Sequence, residues 1–496
     1  MTDVNFFRVP LYGPSYTVQS TTMDLAEDEI ARQRAVVRAR DYHDGRHYVK
    51  LTDRLREFLR DRPGIEDYDA LRFNVTRTVV HAVTERLMVR GFICDDAEQA
   101  DWAMRVWEQN MGDVMADELH EATIRDGEAF VTVTWDNVER RPRFVPHIRY
   151  TDRSIHNGEG IGCRAFYKND DPSEPLEYVT RRWYETIVED DLRTIRHRLT
   201  VYYPDRVEKY LMGNSLQKVR DPGDESWPIK WVDNDGRPLG VPVIHTMNEG
   251  LRCEAWDAIP LQNAINKNLV DMLAAGDLTA FQIYTAFGFY PTTDGKPLAD
   301  DRSNQVKLEP GIIIGSERSA GEATFRSLSG ADPEIMIKPI TQLVYWVAMV
   351  TDTPITRFLV SGQVAAEGTL KQQDGPLLTK VRKRQQMLGS AYESMFAMAR
   401  KLSNIYGGTS YNEDVPIRVI WDTAETRDDD RMIERAERKM KLGVPRRQLL
   451  KELGYSDAQL NTWRIPETDE PVVAMDDSSP DSPDEPDDDD MEVPNA

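Results

Sequence analysis

Few residues of this chain are spaced for chemistry. His120-Glu121 begins as the zinc motif HExxH does, but Ile124 stands where the second histidine belongs, so two imidazoles cannot share a helix face. His43 and His47 have the HxxxH spacing, yet Gly45 between them weakens any helix that would align both rings, which favours a surface or packing role. Gly158-Glu159-Gly160-Ile161-Gly162 mimics a nucleotide loop, but it follows no clear strand and opens no helix, and a β-turn is the simpler reading. There is no GxxxxGK[ST] loop to cradle a phosphate and no Gly-x-Ser-x-Gly nucleophile elbow. The acidic pairs Asp190-Asp191 and Asp300-Asp301 lie in polar stretches and read as solvated loops. Cys94, Cys163 and Cys253 are far apart with no CxxC pair, which fits reduced thiols and no zinc site. These residues predict no enzyme, no metal and no cofactor.

The basic residues are more suggestive. Lys371, Lys380, Arg382, Lys383 and Arg384 cluster beside a segment holding Arg357. One reading is a solvated helix face or salt bridges between subunits. The other is loose contact with a polyanion near Arg357. Tight binding of nucleic acid needs many fixed cations, whereas a wall past which DNA slides needs few.

The charge balance suits the second kind of surface. The 496 residues carry a formal charge of −23, and residues 466–496 hold 13 Asp or Glu with no Lys or Arg. The remainder is mildly acidic, without the basic excess of a tight nucleic-acid binder. Length predicts two to four folded units. The first residues show no basic, then apolar, signal pattern, and the most apolar stretch, Leu343–Val360, is interrupted by Asp352, Pro354 and Arg357. A soluble protein made in the cytoplasm is expected, with no membrane span.

The positioning elements follow from periodicity. Residues 24–60 read as helix broken at Asp41–Gly45, and a helix is expected from Asn74 to Arg90, on Val75, Val79, Val83 and Leu87, with Gly91 as its cap. Residues 97–125 predict one or two amphipathic helices. After Gly127 the pattern alternates: Ala129–Trp135, Arg143–Ile148, Thr194–Tyr203 and Arg206–Leu211 read as strands. Helix returns over Trp256–Phe287. Residues 288–333, with six Gly and four Pro, read as a small insertion with β-like pieces such as Gly311–Gly315, and a helix follows over Glu334–Val350. A loop over 352–368 leads to a long helix from Thr369 to Tyr406, bent near Gly375-Pro376 or Gly389. A strand at Ile417–Trp421, a helix over 428–442 capped by Gly443, a helix after Pro445 and a short one from Ser456 complete the chain. Residues from Pro466 onward, rich in Pro and Asp, are expected to be disordered. The fold class is α+β, mainly helical.

Several of these segments, in this order, resemble the portal proteins of long-tailed double-stranded DNA phages. They are Tyr42-His43-Asp44-Gly45-Arg46-His47; Asn74 through Val79-Val80; Arg86-Leu87-Met88-Val89-Arg90-Gly91-Phe92; and Gly127-Glu128-Ala129-Phe130-Val131. Further on come Pro242-Val243-Ile244, Ala264-Ile265-Asn266-Lys267-Asn268 with Asp271, and Gly375 through Val381 with Gln385–Gly389. Each alone is weak; their order and spacing carry the likeness.

The resemblance implies a ring-forming fold of wing, stem, clip and crown. Residues 1–250 would be the wing, 251–287 and 334–351 the stem helices, 288–333 the clip, 352–368 the tunnel loop, 369–406 the long kinked helix, 415–465 the crown and 466–496 an acidic tail. It implies a homo-oligomeric ring, usually dodecameric, at one capsid vertex of the virion, through which double-stranded DNA is packaged and ejected with transient, sequence-independent contact. Terminase large subunit, major capsid protein, scaffold protein and a head-completion adaptor would be its partners, and its synthesis would be in the host cytoplasm. Arg357, Gln363, Glu367 and Lys371 are the channel-facing candidates, and Lys380, Arg382, Lys383 and Arg384 the basic helix face. The acidic tail is either a brush that keeps DNA from sticking or a solubility segment. The alternative function is another capsid-associated adaptor or minor head protein.

Overall fold

The computed structural model describes residues 27–47, 73–147, 162–189, 192–212, 216–280, 283–287, 292–293, 296–297, 324–328, 333–358, 367–425, 429–453, 460 and 463. The chain divides into two compact units, residues 1–424 and 425–496.

The first unit starts helical, with α1 (Glu27–His43), α2 (Thr76–Thr84), α3 (Ala97–Gln109) and α4 (Gly112–Asp126). The valine spacing that predicts a helix to Arg90 holds only as far as Thr84. Glu85 and Arg86 turn the chain, Leu87 N–H donates to the Thr84 carbonyl at 3.0 Å, and β1 (Val89–Ile93) begins. Leu87 stays buried, but on a turn. Gly91 is thus inside a strand, beside a register shift against β15 (Arg418–Trp421), instead of capping a helix. A non-local pairing has overridden a local pattern.

Asp96 caps α3 by accepting from Glu98 N–H at 3.0 Å. α4 ends on Gly127, whose φ of +97° is the left-handed geometry of a helix terminator; a Cβ there would stand 2.7 Å from the Leu251 carbonyl oxygen. The chain then enters the sheet-rich part. β2 (Glu128–Asp136) lies between β3 (Arg141–His147) and β10 (Val243–Met247), both antiparallel to it. A second antiparallel sheet runs in the order β4 (Gly162–Tyr167), β5 (Leu176–Glu189), β6 (Leu192–Tyr202), β7 (Arg206–Met212), β8 (Gln217–Lys218), with β9 (Ile229–Lys230) also on β7. Cys163, Ala165 and Val179 pack with Phe130 and Val243 of the first sheet. Phe166, Tyr178, Leu199 and Val201 form another cluster, joined by Trp227, so the period of two buries both faces.

α5 (Ile259–Ala280) ends before the expected Phe287. Ile283–Phe287, rich in β-branched and aromatic residues, is a strand, β11, paired with β14 (Thr324–Leu328). β12 (Thr292–Thr293) and β13 (Lys296–Pro297) pair with each other, and α6 (Pro333–Val350) then packs against α5. The arm is therefore helix, small stranded tip, helix; Gly311–Gly315 lies outside the described residues. α7 (Glu367–Leu402) runs on through Gly375-Pro376 and Gly389 into a π turn, Ser403–Gly407, and left-handed Gly408. Its stripe of Leu377, Val381, Leu388, Tyr392, Met395, Phe396, Ala399 and Leu402 is buried and forms the spine of the main core. Phe396 meets Phe92 with ring centres 4.5 Å apart, and Tyr392 meets Trp107 at 5.5 Å.

The second unit holds α8 (Asp429–Lys441) and α9 (Arg446–Glu452), joined through Gly443 at φ +89°. The helix expected from Ser456 and the acidic segment 466–496 fall outside or almost wholly outside the described residues. Among the described residues no helix is long and apolar enough to cross a membrane.

Candidate functional site

Two segments that the sequence links only by resemblance meet in space. The Tyr42 ring stacks on His47 at 4.2 Å, and its hydroxyl donates to Asn263 Oδ1 of α5 at 2.7 Å. Asn266 Nδ2 donates to His47 Nε2 at 2.7 Å, and Asn266 Oδ1 accepts the Phe73 N–H at 3.0 Å. Gln262 Oε1 accepts the Val75 N–H at 2.7 Å, while Asn74 Nδ2 donates to the His43 carbonyl at 2.7 Å. Asn266 and Gln262 are fully buried, so each bond replaces water at a site where an unpaired group is costly. The end of α1, the start of α2 and the root of α5 are clamped together. His43 and His47 serve this packing, and among the described residues no group of three or more His, Cys, Asp or Glu could hold a metal.

The basic cluster of α7 divides between its two sides. Lys380 and Arg384, one turn apart, are buried, and both grip Glu254: Lys380 Nζ lies 3.1 Å from Oε1, and Arg384 donates to Oε2 at 3.0 and 3.2 Å. Lys380 also donates to the Thr351 carbonyl just beyond α6, and Arg384 reaches Glu249 at 2.8 Å. Burial alone would raise the Glu254 pKa, but Lys380 and then Arg384 hold it below its ordinary value. At these two positions the cations are thus neither on a solvated face nor reserved for a neighbouring subunit. They form a latch within the chain, binding the end of α6, the segment 249–254 and α7. Arg382 and Lys383 are on the exposed side. Arg252, Asp257, Asp352, Thr379 and Lys383 help line a cleft of about 240 Å³ beside the latch.

α6 terminates over this junction. Asp352 adopts φ +48°, and Thr353 N–H donates back to the Ala348 carbonyl at 3.0 Å, the long bond of a helix terminator that usually carries glycine. Arg357 closes the short 3-10 turn Ile355–Arg357 and pairs with Glu85. The adjacent Arg86 lies 3.6 Å from Asp374 of α7; burial, and then repulsion by Arg357, lower its pKa. Gln363 is outside the described residues. Glu367 and Lys371 lie in the first turns of α7, with their side chains also outside. The structure thus places Arg357 beside Glu85 and Arg86, the second of which reaches Asp374 of α7, and carries Lys380 and Arg384 away into the interior. Glu249, Glu254 and Thr351 were missed by sequence reasoning. The only signal was the four-residue spacing of Lys380 and Arg384, which predicts a shared face but not its partners.

A second buried polar group sits between the sheets and α1. Arg32 pairs with Glu128 and donates to the Cys163 carbonyl at 3.2 Å; His245 Nε2 lies 2.8 Å from Glu128 Oε2, and Tyr167 Oη 3.0 Å from His245 Nδ1. Burial would raise the Glu128 pKa, yet Arg32 and His245 hold it at about 2. Burial pushes the thiols of Cys163 and Cys253 up to about 12, which leaves neither a ready nucleophile.

Three solved structures of gene transfer agent (GTA) particles are similar to this chain. A chain from the neck of an empty particle, computed with C6 symmetry, is 11% identical with a TM-score of 0.38, over 74% of this chain and 89% of that one. One from the virion of the native particle is 10% identical with a TM-score of 0.34, over 87% and 100%. One from the neck of the native particle, computed with C12 symmetry, is 10% identical with a TM-score of 0.34, over 83% and 96%. No curated protein matches. The family model described as phage portal protein, SPP1 Gp6-like, matches residues 71–464, from the Asn74 clamp through the latch to the end of the described helices. The chain belongs to that family, the phage portal proteins.

Proposed function

We propose that identical copies of this chain close into a ring, usually of twelve, at one capsid vertex, and that double-stranded DNA passes through its centre during packaging and ejection. The observation that carries this reading is the family match over residues 71–464. The arm of α5, stranded tip and α6 supports it, because a projecting helix pair suits a wall built by rotation of one interface. In this reading residues 1–250 form the wing, α5 and α6 the stem, and the strands from Ile283 to Leu328 the clip. Residues 352–368 form the tunnel loop, and α8 and α9 belong to the crown. β15 was grouped with the crown in sequence, but its pairing with β1 favours counting it with the wing.

The ring acts by position. It has no enzymatic step of its own; terminase large subunit supplies the work at the clip, and a head-completion adaptor docks there afterwards. Scaffold and major capsid protein contact the ring during assembly. DNA contact is transient and independent of sequence, with Arg357, Gln363, Glu367 and Lys371 nearest the channel. Negative-stain imaging of the purified chain tests the reading. Rings with a central hole are expected, and a monomer at every concentration overturns it.

A further inference from the structure

We infer that the outer stripe of α6 is the face by which one copy of this chain packs onto the next, seated on the outer face of the β1–β15 pair. The inference rests on the ring reading and names a contact that closes the ring.

The last two turns of α6 are apolar all the way round. Val344, Val347 and Ala348 are buried, the two valines within the main core. Tyr345, Trp346, Met349 and Val350 lie on the opposite half of the helix, at spacings of three and four, and are 44–68% exposed. No charged residue stands between Lys338 and Asp352, in a chain of which 30% is charged. A helix apolar on every side belongs in an interior, yet half of this one is exposed. Its four large side chains present roughly 400 Å², a size at which apolar patches mark interaction sites. The stripe is also held still, because the next residue, Thr351, accepts from Lys380 of the latch.

A ring closes by a heterologous contact, so each subunit needs a second, unlike patch. The β1–β15 pair supplies one. Its inner face, with Phe92, Val419 and Trp421, packs on the core. On the outer face the register sets Gly91 opposite Ile420 and Ile93 opposite Arg418. Ile93, Ile420 and the neighbouring Met88 are 40–59% exposed. Gly91 has no left-handed φ, and a Cβ there would meet nothing within 4 Å, so neither backbone nor space within the chain calls for glycine. Glycine inside a strand marks a place where another surface comes close, and here it leaves a flat apolar seat beside two isoleucines. Bulky side chains on one patch thus match a bare seat on the other, and Arg418 at its rim offers a cation to the ring of Tyr345 or Trp346. Together the patches supply about 700 Å² of apolar surface, most of the roughly 900 Å² in an interface of standard size. A partner that comes and goes meets a more polar face; a permanent second copy suits this one.

The test uses the full-length chain and mass photometry, which counts rings and single chains. W346E/M349E, at exposed positions, and G91W, which fills the seat, should each lower the ring fraction about tenfold or more, with circular dichroism showing the fold retained. A milder probe replaces Tyr345 by the photo-cross-linker p-benzoylphenylalanine, one aromatic for another, in rings assembled from equal parts of plain and isotope-labelled chains. Illumination should join a plain chain to a labelled one through residues 88–93 or 418–421. This measurement decides the matter where a substituted chain misfolds. Rings as abundant in W346E/M349E or G91W as in the wild type, or links from position 345 only to other surfaces, overturn the inference and leave the ring reading standing. A wild-type chain that stays single overturns both.

Discussion

Glu254 receives two cations from α7 and ties them to the end of α6. Glu254→Gln keeps the shape but removes the charge, leaving Lys380 with no carboxylate and Arg384 with Glu249 alone. The loss should be about 3 kcal/mol, because a buried charge that loses its partner is costly, and a lower urea midpoint would show it. His120 gives a second prediction at this scale. Buried against Tyr392, with which its Nε2 shares a hydrogen bond at 2.9 Å, its imidazole is pushed down by burial to about 4, with a smaller opposing influence from the Leu87 backbone. The unfolded chain takes up this proton near pH 6.5 and the folded chain only near 4. Stability should therefore fall as pH drops through that window, by up to about 3 kcal/mol from this residue. Glu128 acts lower: with a folded value of about 2 against 4.5, its contribution is complete above 4.5 and is lost as pH falls towards 2. Unfolding curves between pH 7 and 3 separate the two, and His120→Gln should flatten the upper part. None of these partners was legible in sequence. His120 and Tyr392, or Glu254 and Lys380, are more than a hundred positions apart, and only folding makes them neighbours.

Elements are held by their ends. Gly127 takes a left-handed φ and faces the Leu251 backbone at a distance no side chain tolerates. Gly127→Ala should cost more than 1 kcal/mol, on the order of 2–4, since both strain and contact oppose it. Asp352 occupies the same kind of position with open exposure, and Asp352→Gly should stabilise the fold by up to ~1 kcal/mol. Thermal midpoints moving in opposite directions for the two variants would check the pair. Helices with long apolar stripes were the easiest elements to read: α7 and α6 emerge within a few residues of their expected bounds, as do β2, β6 and β7. β4 and β5 were not foreseen. Arg181, Arg182, Trp183 and Glu185 lie mid-strand in β5, and their charges mask the alternation until Trp183 is seen flanked by Arg181 and Arg198 at 5.4 and 5.5 Å. The stop of α2 at Thr84 was equally hidden, because β1 depends on a partner strand far along the chain.

For the whole molecule, family membership turns charge into an argument about passage. A mildly acidic body with a few cations near one loop suits a wall that DNA slides past. Replacing Arg357 and Lys371 together by alanine should alter packaging or genome retention while rings still form, since Arg357 contributes only a partly exposed pair with Glu85 to the fold. Encapsidated DNA measured beside ring yield distinguishes the two effects, and normal filling would remove these positions from the channel. The order of helix, stranded insertion and helix was legible because those segments differ in composition. The latch was not, because Lys380 and Arg384 look like the exposed cations beside them until burial sorts them.

The pairing of β1 with β15 also governs how a subunit is born. Val89–Ile93 leaves the ribosome early, yet its partner Arg418–Trp421 follows more than three hundred residues later, and Ala424 receives the Arg86 guanidinium only after that. Closing so long a loop makes maturation of this edge a slow, late event, with the strand unsatisfied throughout elongation. A nascent chain halted before Arg418 should therefore be the aggregation-prone and protease-sensitive species, whereas release just past Ala424 already completes the edge.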